Sequence, residues 1–483
     1  MSFTLSSDIK KNMIYLVKAS ELKERFDPLF YHPKYLENEK KIKSCCWGYD
    51  NLGHLANRVI DGPFGSDLKV DEYQISGIPL LRVSNIKTGE VEGNIVYISD
   101  EKQKQLIRSK VNPGDVLLTK AGAILGYSAV FPKELIEGNI TSHLVTISCK
   151  EEIDPYYLSY FLRSNIGQLQ IYRWGNKSTR PELNTGEVKK ILIPIPPMPI
   201  QEKIIAKMQK EIDLMKSKEV KARQLLDGID DYLLKELNIQ LPNLQDDYLN
   251  IIFKRKMSNI SGKRIDPRYY KQKFISFNEF LDRLDNVKTI NDISSFVGSG
   301  STPKVGGDDY TTIDDGVPFI RIVDLKENTV VVTDSTKYIK PHIHDGLLRR
   351  TQLQPRDVLL TMAGTIGLSV VVPNNLGPAN INQAISRITI IESVDPFYVS
   401  LILNSKIGMI QTDRISRPSV QANINLEEIK SIRIPLPSLE KQIEITKHVN
   451  SIYRKVNQMN KQALKDFQKK INEIETMILG EAE

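Results

Sequence analysis

The sequence has few cysteines and no long apolar run, and these two absences exclude several classes of protein. Its 483 residues include only Cys45, Cys46 and Cys149, too few for a disulfide framework and without the spacing of a zinc site. No apolar stretch approaches the roughly 18 residues that a membrane-spanning helix needs. The first residues also lack the apolar core of an export signal. We therefore expect a cytoplasmic protein with no membrane spans.

Length and charge limit the architecture without identifying a partner. At one domain per roughly 150 residues, the chain is long enough for about three compact units. Lys and Arg number 66 against 59 for Asp and Glu, which gives a net charge of +7. Such a mild excess permits a polyanionic partner but does not require one.

The chain contains an internal repeat with a period near 240 residues. GIPLLRVSNIK from Gly77 returns as GVPFIRIVDLK from Gly316, and PGDVLLTKAG from Pro113 returns as PRDVLLTMAG from Pro355. An earlier Arg-x-Asp-Pro motif at residues 25–28 returns at 264–267. This period is much longer than the 20–50 residues of a solenoid repeat. It predicts two whole domains in tandem.

The pattern of each half predicts an α+β fold, with strands first and helices after them. The segments IPLLRV, NIVYI, DVLLT, SAVF and HLVTI have the length and β-branched content of strands. Asp154 and Pro155 then predict a helix N-terminus, and Asp395 and Pro396 predict the equivalent one in the second half.

Each half ends in a long helical segment. Apolar residues at alternating spacings of three and four predict coiled-coil seams from Ile200 to about Ile239 and again from Ile445 to Ile478, with Leu226 and Leu464 among the seam positions. About 40 residues make a rod of roughly 60 Å. Two such seams are expected to pair with each other, antiparallel. The weaker alternative is that each helix packs on its own domain.

No catalytic set survives inspection. Phe296-Val297-Gly298-Ser299-Gly300 has the glycine spacing of some cofactor loops, but its polar flank favours a plain glycine-rich loop. Asp115 and Lys120 resemble part of a nuclease site, yet Met362 replaces the lysine in the second half. His342 and His344, read as neighbours on one strand face, have no obvious third metal ligand.

Basic and amide side chains in predicted loops are the remaining signal. Arg, Lys, Asn and Gln are the side chains that contact base edges and phosphates. Two corresponding segments, IYRWGNKSTRP and TDRISRPSVQAN, carry them without helical or strand periodicity. The DNA-binding candidates are Lys69, Arg82, Lys87, Lys120, Arg173, Trp174, Lys177, Arg180, Lys304, Arg321, Lys326, Arg414, Arg417, Gln421 and Asn423.

Taken together, these segments resemble a known family. Tandem halves with a GIPLLRVSNI-like strand, a PGDVLLTKAG-like segment and a proline-rich IPIPP before a QEKI helix are similar to the specificity subunit of type I restriction-modification systems. The segment GPFGSDLK, residues 62–69, is also typical of that family's target-recognition domains.

The resemblance implies a non-catalytic DNA-reading subunit. Its expected parts are a first target-recognition domain at 1–196, a central spacer helix at 197–239, a second target-recognition domain at 240–437 and a C-terminal spacer helix at 438–483. Each domain would bind one half of an asymmetric bipartite site on double-stranded DNA. Two methyltransferase subunits, and in some complexes restriction subunits, would join it. S-adenosylmethionine would be held by the methyltransferase and no cofactor by this chain.

Two other hypotheses about the function remain open from the sequence. The chain could be the DNA-recognition part of a fused restriction and methyltransferase enzyme, although two readers and two helices use its whole length. It could also be a coiled-coil scaffold that binds no DNA, against which the repeated basic segments argue.

Overall fold

The computed structural model describes two compact units. It describes residues 15, 17, 22, 25–63, 67–87, 89–122, 124–175, 181–242, 264–304, 308–326, 328–417 and 423–481. The first unit comprises Met1–Glu219 with Asn460–Glu483, and the second comprises Val220–Met459. The first unit is therefore built from two separate stretches of chain, and the second from one continuous stretch.

The first repeat consists of seven helices and eleven strands among the described residues. The helices are α1 (Pro33–Lys43), α2 (Leu52–Leu55), α3 (Asp100–Gln105), α4 (Pro155–Arg163), α5 (Asn165–Trp174), α6 (Thr185–Lys189) and the long α7 (Met198–Glu236). The strands are β1 (Tyr49–Asn51), β2 (Ala56–Asp61), β3 (Ile78–Leu81), β4 (Ile86–Lys87), β5 (Glu90–Val91), β6 (Val96–Ile98), β7 (Val116–Thr119), β8 (Ser128–Val130), β9 (Asn139–Ile140), β10 (Leu144–Cys149) and β11 (Leu192–Pro194).

The second repeat has the same order of elements, except that its described residues have no counterpart of α2 and contain the additional strand β14. Its helices are α8 (Gln272–Leu281), α9 (Pro341–Asp345), α10 (Pro396–Asn404), α11 (Lys406–Ile415), α12 (Leu426–Lys430) and the long α13 (Leu439–Leu479). Its strands are β12 (Val287–Thr289), β13 (Ser294–Ser299), β14 (Tyr310–Thr311), β15 (Val317–Ile320), β16 (Leu325–Lys326), β17 (Thr329–Val330), β18 (Lys337–Ile339), β19 (Val358–Thr361), β20 (Ser369–Val371), β21 (Asn380–Ile381), β22 (Ile385–Ile390) and β23 (Arg433–Pro435).

An antiparallel sheet forms the centre of each unit. In the first unit its order is β2-β10-β7-β8. In the second, the equivalent antiparallel strands β13-β22-β19-β20 continue into β17, which is parallel to β20, and β16. A second small sheet, β6-β3-β9 or β14-β18-β15-β21, contains one parallel pair in each case. The strand predictions and the α+β class are confirmed, since all five predicted apolar runs contain a strand.

The Asp-Pro motifs begin helices as predicted. Asp154 accepts hydrogen bonds from the backbone N–H groups of Tyr156 and Tyr157, and Pro155 is the first residue of α4. Asp395 caps α10 in the same way. An N-cap carboxylate satisfies N–H groups that have no partner inside the helix, and proline at the first position loses no bond.

Both long helices contribute to the core of each unit. In the first unit Ile204 and Met208 of α7 are buried together with Ile474 and Ile478 of α13 against the central sheet. In the second unit the later part of α7 and the earlier part of α13 do the same through residues that include Ile229, Leu233, Ile445 and Val449. Burying each of these side chains contributes roughly 1.5–3 kcal/mol.

The two helices run antiparallel within each unit. In the first unit Lys218 pairs with Asp466 at 3.2 Å, whereas Lys207, earlier in α7, lies beside Met477, later in α13. In the second unit Tyr232 stacks on His448 with ring centroids 4.2 Å apart, whereas Glu236, later in α7, pairs with Lys441, earlier in α13. The predicted pairing is confirmed. The weaker alternative also holds in part, because the same helix segments pack on the globular cores.

Several sequence-based details were wrong. Leu226 and Leu464 are exposed, whereas Ala222 and Ala463 near them are buried. Phe296–Ser299 is strand rather than loop, where the Phe296 ring covers the space that a side chain at Gly298 would need.

The neighbouring histidines His342 and His344 lie in the short helix α9 and not on a strand. Within the described ranges no three His, Cys, Asp or Glu side chains form a group that could hold a metal ion. Among the same residues, no helix is long and apolar enough to cross a membrane.

Candidate nucleic-acid interface

The repeated Arg-x-Asp-Pro motif fastens the end of one helix in each unit. Arg25 donates to the backbone oxygen of Trp174, the last residue of α5, at 2.6 Å, and lies 3.7 Å from Glu187 of α6. Arg264 contacts the backbone oxygen of Ile415, the last residue of α11, and pairs with Glu428 of α12 at 3.2 Å. Each arginine therefore joins the helix before a candidate basic segment to the helix after it.

Arg173, Trp174 and Arg414 are helical, so their assignment to loops was wrong. Arg173 is 9% exposed, donates from Nε to the backbone oxygen of Phe30 at 3.0 Å and forms an ion pair with Glu39. Its counterpart Arg414 lies 4.1 Å above a tyrosine ring, and burial lowers its pKa. These bonds and ring contacts give both arginines a role in packing.

The segments that follow these helices are described only at their ends. Lys177, Arg180 and Gln421 lie outside the described residues. Arg417 has a side chain that is 53% exposed and lies 3.3 Å from Glu428. The backbone oxygen of the exposed Asn423 accepts a bond from the N–H of Arg417 at 3.0 Å.

Arg82 and Arg321 brace equivalent turns. Arg82 donates to the backbone oxygen of Asn94 at 2.7 Å, and its backbone N–H bonds to Asn85 at 3.0 Å. Arg321 donates to the backbone oxygen of Ser335 and approaches Asp324 at 3.4 Å. The sequence equivalence of the two arginines thus corresponds to one shared local structure.

Four candidate lysines are exposed. Lys69 lies between β2 and β3, and Lys304 lies just after β13. Lys87 ends β4 and Lys326 ends β16, at equivalent positions in the two hairpins. Exposed ammonium groups of this kind suit phosphate contacts, which position a protein on DNA without reading its sequence.

Lys120 lies in a cluster of charged residues at one end of the central sheet of the first unit. Its ammonium group is 3.4 Å from the carboxylate of Asp61, at the end of β2, and 3.6 Å from that of Glu182. Arg108 contacts the other oxygen of Asp61 at 3.1 Å. We call Asp61, Lys120 and Glu182 the edge cluster.

The second unit has a neutral set at the equivalent place. Asp61 pairs with Val145 across the sheet, and the equivalent pair is Ser299 with Ser386. The backbone oxygen of Lys120 accepts from Leu183, and that of Met362 accepts from Ile424.

Isolated bridges complete the correspondence, since Ala121 pairs with Glu182 and Ala363 with Asn423. Lys120 and Asn423 are among the candidates predicted from sequence. Glu182 was not a candidate, although the sequence shows that it stands where the second half has Asn423. Asp61 was missed, and comparing the two halves position by position could have found it.

Asp115, whose carboxylate resembles part of a nuclease site, forms structural contacts inside the first unit. Asp115 is buried, bonds to Arg58 at 3.1 Å and accepts from Ser148 at 2.6 Å. Its equivalent Asp357 bonds to Arg387 at 2.6 Å. The pair of Asp115 and Lys120 is thus divided between two different sets of ion pairs.

Comparisons with known proteins agree on one family. The family described as "Type I restriction modification DNA specificity domain" matches residues 67–226 and 285–468. The specificity subunit of the type I restriction enzyme EcoBI from Escherichia coli is 23% identical over 428 residues, which cover 83% of this chain and 85% of that protein. A putative type I restriction enzyme MjaX specificity subunit from Methanocaldococcus jannaschii is also 23% identical, over 82% of this chain and 85% of that protein.

Solved structures of related subunits show a more distant likeness. The HsdS subunit from Thermoanaerobacter tengcongensis is 16% identical with a TM-score of 0.34, covering 90% of this chain and 97% of that one. The S subunit of a type I restriction-modification system from M. genitalium is 11% identical with a TM-score of 0.37, covering 90% and 96%.

Proposed function

The chain belongs to the family of type I restriction-modification DNA specificity domains, and from that membership we propose that each of its units binds one half of a bipartite DNA site. The observation that carries the proposal is the repetition of one scaffold within one chain. Two similar readers in tandem match two half-sites on a duplex, as paired DNA-binding units do in general.

The scaffold bonds are the same in both units. Tyr157 donates to the backbone oxygen of Pro194 at 3.0 Å, and Tyr398 donates to that of Pro435 at 2.7 Å. The capping boxes of α6 and α12 are likewise equivalent. On this shared frame, the three side chains of the edge cluster in the first unit are ionisable, and the three side chains at the equivalent positions of the second unit are not. Different chemistry on one frame supports an asymmetric site.

The long helices are proposed to set the gap between the half-sites. At about 1.5 Å per residue, the 39 residues of α7 and the 41 of α13 give lengths near 60 Å. Each helix contributes residues to both units, which a spacer must do if its length is to control a separation.

We propose that this chain supplies recognition and that the chemistry belongs to its partners. Two methyltransferase subunits, each carrying S-adenosylmethionine, would methylate adenines in the two half-sites, and restriction subunits would join for cleavage. The assembly would work in the cytoplasm, where the DNA is.

The test is a map of modified adenines after co-expression with the cognate methyltransferase subunit. A two-part motif with a fixed gap is expected only when both proteins are present. Methylation by this chain alone, or the same motif in its absence, would contradict the proposal. Binding by the complex should also weaken steeply with salt, since Lys and Arg displace phosphate counterions.

A further inference from the structure

We infer that the edge cluster is a base-reading determinant of the first unit, and that it contacts a G·C pair where the second unit contacts an A·T pair. This inference rests on the proposed function. It concerns which part of each unit distinguishes the two half-sites.

The first argument comes from comparing the two units. Three backbone pairings show that Asp61, Lys120 and Glu182 stand at positions equivalent to Ser299, Met362 and Asn423. Thr119 and Thr361, which precede the central position in the two units, are identical and fully buried, whereas the buried strand partner changes from Val145 to Ser386. All three members of the cluster change from charged to neutral, while the backbone pairings that position them are the same in both units.

The second argument is the donor capacity of Lys120. A lysine ammonium group has three N–H donors. That of Lys120 donates to Asp61 at 3.4 Å and lies 3.6 Å from the carboxylate of Glu182, with 11% of the side chain exposed. Asp61 therefore does not use all three donors, and the ammonium group can also donate to a ligand. Lysine donates to the O6 and N7 atoms of guanine, and a carboxylate accepts from N4 of cytosine.

The third argument is that the cluster does not repel DNA. Asp61 and Glu182 carry two negative charges, and Lys120 and Arg108 balance them. The side chain of Glu182 is 48% exposed, so one carboxylate can be reached by a base edge. A net negative cluster would instead oppose the approach of phosphates.

The neutral set of the second unit suits the other base pair. Asparagine forms two hydrogen bonds with N6 and N7 of adenine, and apolar side chains contact the methyl group of thymine. Asn423 is exposed and Met362 is 9% exposed. The first half-site should therefore contain a G·C pair at a position where the second contains A·T.

The experiment exchanges the cluster for its counterpart in the full chain, in complex with the methyltransferase subunit. The variant Asp61→Ser, Lys120→Met, Glu182→Asn removes all three charges together, so that Lys120 does not remain without its carboxylates. Arg108 loses its contact with Asp61, but its side chain is 64% exposed to solvent. The readout is the methylated motif across a genome.

We expect one G·C position of the first half-site to lose its preference tenfold or more, with the second half-site unchanged. An unchanged first half-site, or equal loss at both, would overturn the inference. If the wild-type complex shows no bipartite motif, the proposed function itself fails, and the two failures are thereby distinguished.

A matched control is available in the same unit. The side chain of Lys102 is 15% exposed, close to the 11% of Lys120, and its ammonium group pairs with Glu72 at 2.7 Å. Lys102→Met should leave the motif intact. If the triple variant does not fold, Glu182→Asn alone decides, because Glu182 lies at the exposed side of the cluster: an unaltered motif then rejects the inference.

Discussion

Gln442, near the beginning of α13, accepts a hydrogen bond from the backbone N–H of Asp395 at 3.0 Å. Its amide also donates to the backbone oxygen of Pro437 at 2.8 Å. In the first unit Gln201 makes the same bonds to Asp154 and Pro196, at 2.9 and 2.8 Å. One buried glutamine therefore ties each long helix to the N-cap of a helix in its own globular part.

Replacing Gln201 by Leu should destabilise the first unit. The change leaves the N–H of Asp154 and the backbone oxygens of Glu152 and Pro196 without their partner. Each unsatisfied buried group costs about 1–3 kcal/mol, so the free energy of unfolding should fall by at least about 2 kcal/mol. Both tryptophans belong to the first unit, and their fluorescence in urea would report the loss. Gln468→Leu, at an exposed position of α13, should change it by less than about 0.5 kcal/mol.

Arg173→Ala tests whether that arginine packs or reads DNA. The variant removes the bond to Phe30 and leaves Glu39 without its partner, which should lower the free energy of unfolding by about 2 kcal/mol or more. The methylated motif should be unaltered, measured at a temperature where the variant is folded. Arg268→Ala, which removes a more exposed pair with Asp413, should cost less than about 1 kcal/mol. A stable Arg173 variant with a changed motif would show that the side chain reads DNA.

The local part of the structure could be predicted from sequence, and the non-local part could not. Strand periodicity and the Asp-Pro signals involve neighbouring residues, and they predicted β7, α4 and their counterparts. The helix α5 was missed because Gly167, Gln168 and Gln170 interrupt its apolar face. It is held instead by the Ser164 cap and by packing.

The candidate site depends on contacts between distant positions. Asp61 and Glu182 each lie about 60 residues from Lys120 along the chain, on opposite sides of it, and no periodicity within a window can bring the three together. The repeat supplies the missing information, since it shows which positions keep their residue class and which change it. The paired arginines of the Arg-x-Asp-Pro motif were visible as a repeat, but their role at the helix ends required the structure.

Cys149 should resist alkylation while Cys46 reacts. Burial, with the nearby carboxylates of Asp154 and Asp115, raises the pKa of the Cys149 thiol to about 12. At pH 8 roughly one such thiol in 10⁴ is ionised, against about one in four for an ordinary thiol. Iodoacetamide at pH 8 followed by mass spectrometry should find the exposed Cys46 labelled and Cys149 unlabelled. In 6 M guanidinium chloride all three cysteines should react, and equal labelling of Cys46 and Cys149 in the native protein would contradict the prediction.

The same raised pKa has a consequence for stability. The folded state keeps the Cys149 proton where the unfolded state, with an ordinary pKa near 8.5, loses it. This group's contribution is therefore full below about pH 8.5 and is lost progressively as the pH rises toward about 12. Cys149→Ser should reduce this alkaline loss of stability, measured by urea unfolding between pH 8 and pH 10.

Removing one heptad from both long helices should shorten the gap of the recognised motif. The helices run antiparallel within each unit, so a deletion in α7 has to be matched in α13, for example 217–223 with 456–462. Seven residues correspond to about 10.5 Å of helix, or about three base pairs at 3.4 Å each. The two half-sites should keep their sequences, because every residue of the edge cluster and its counterpart is retained. Deleting the heptad from α7 alone is the control, and it should abolish methylation because the buried positions of the two helices no longer match. An unaltered gap in the paired deletion would show that the helices do not measure the distance between the half-sites.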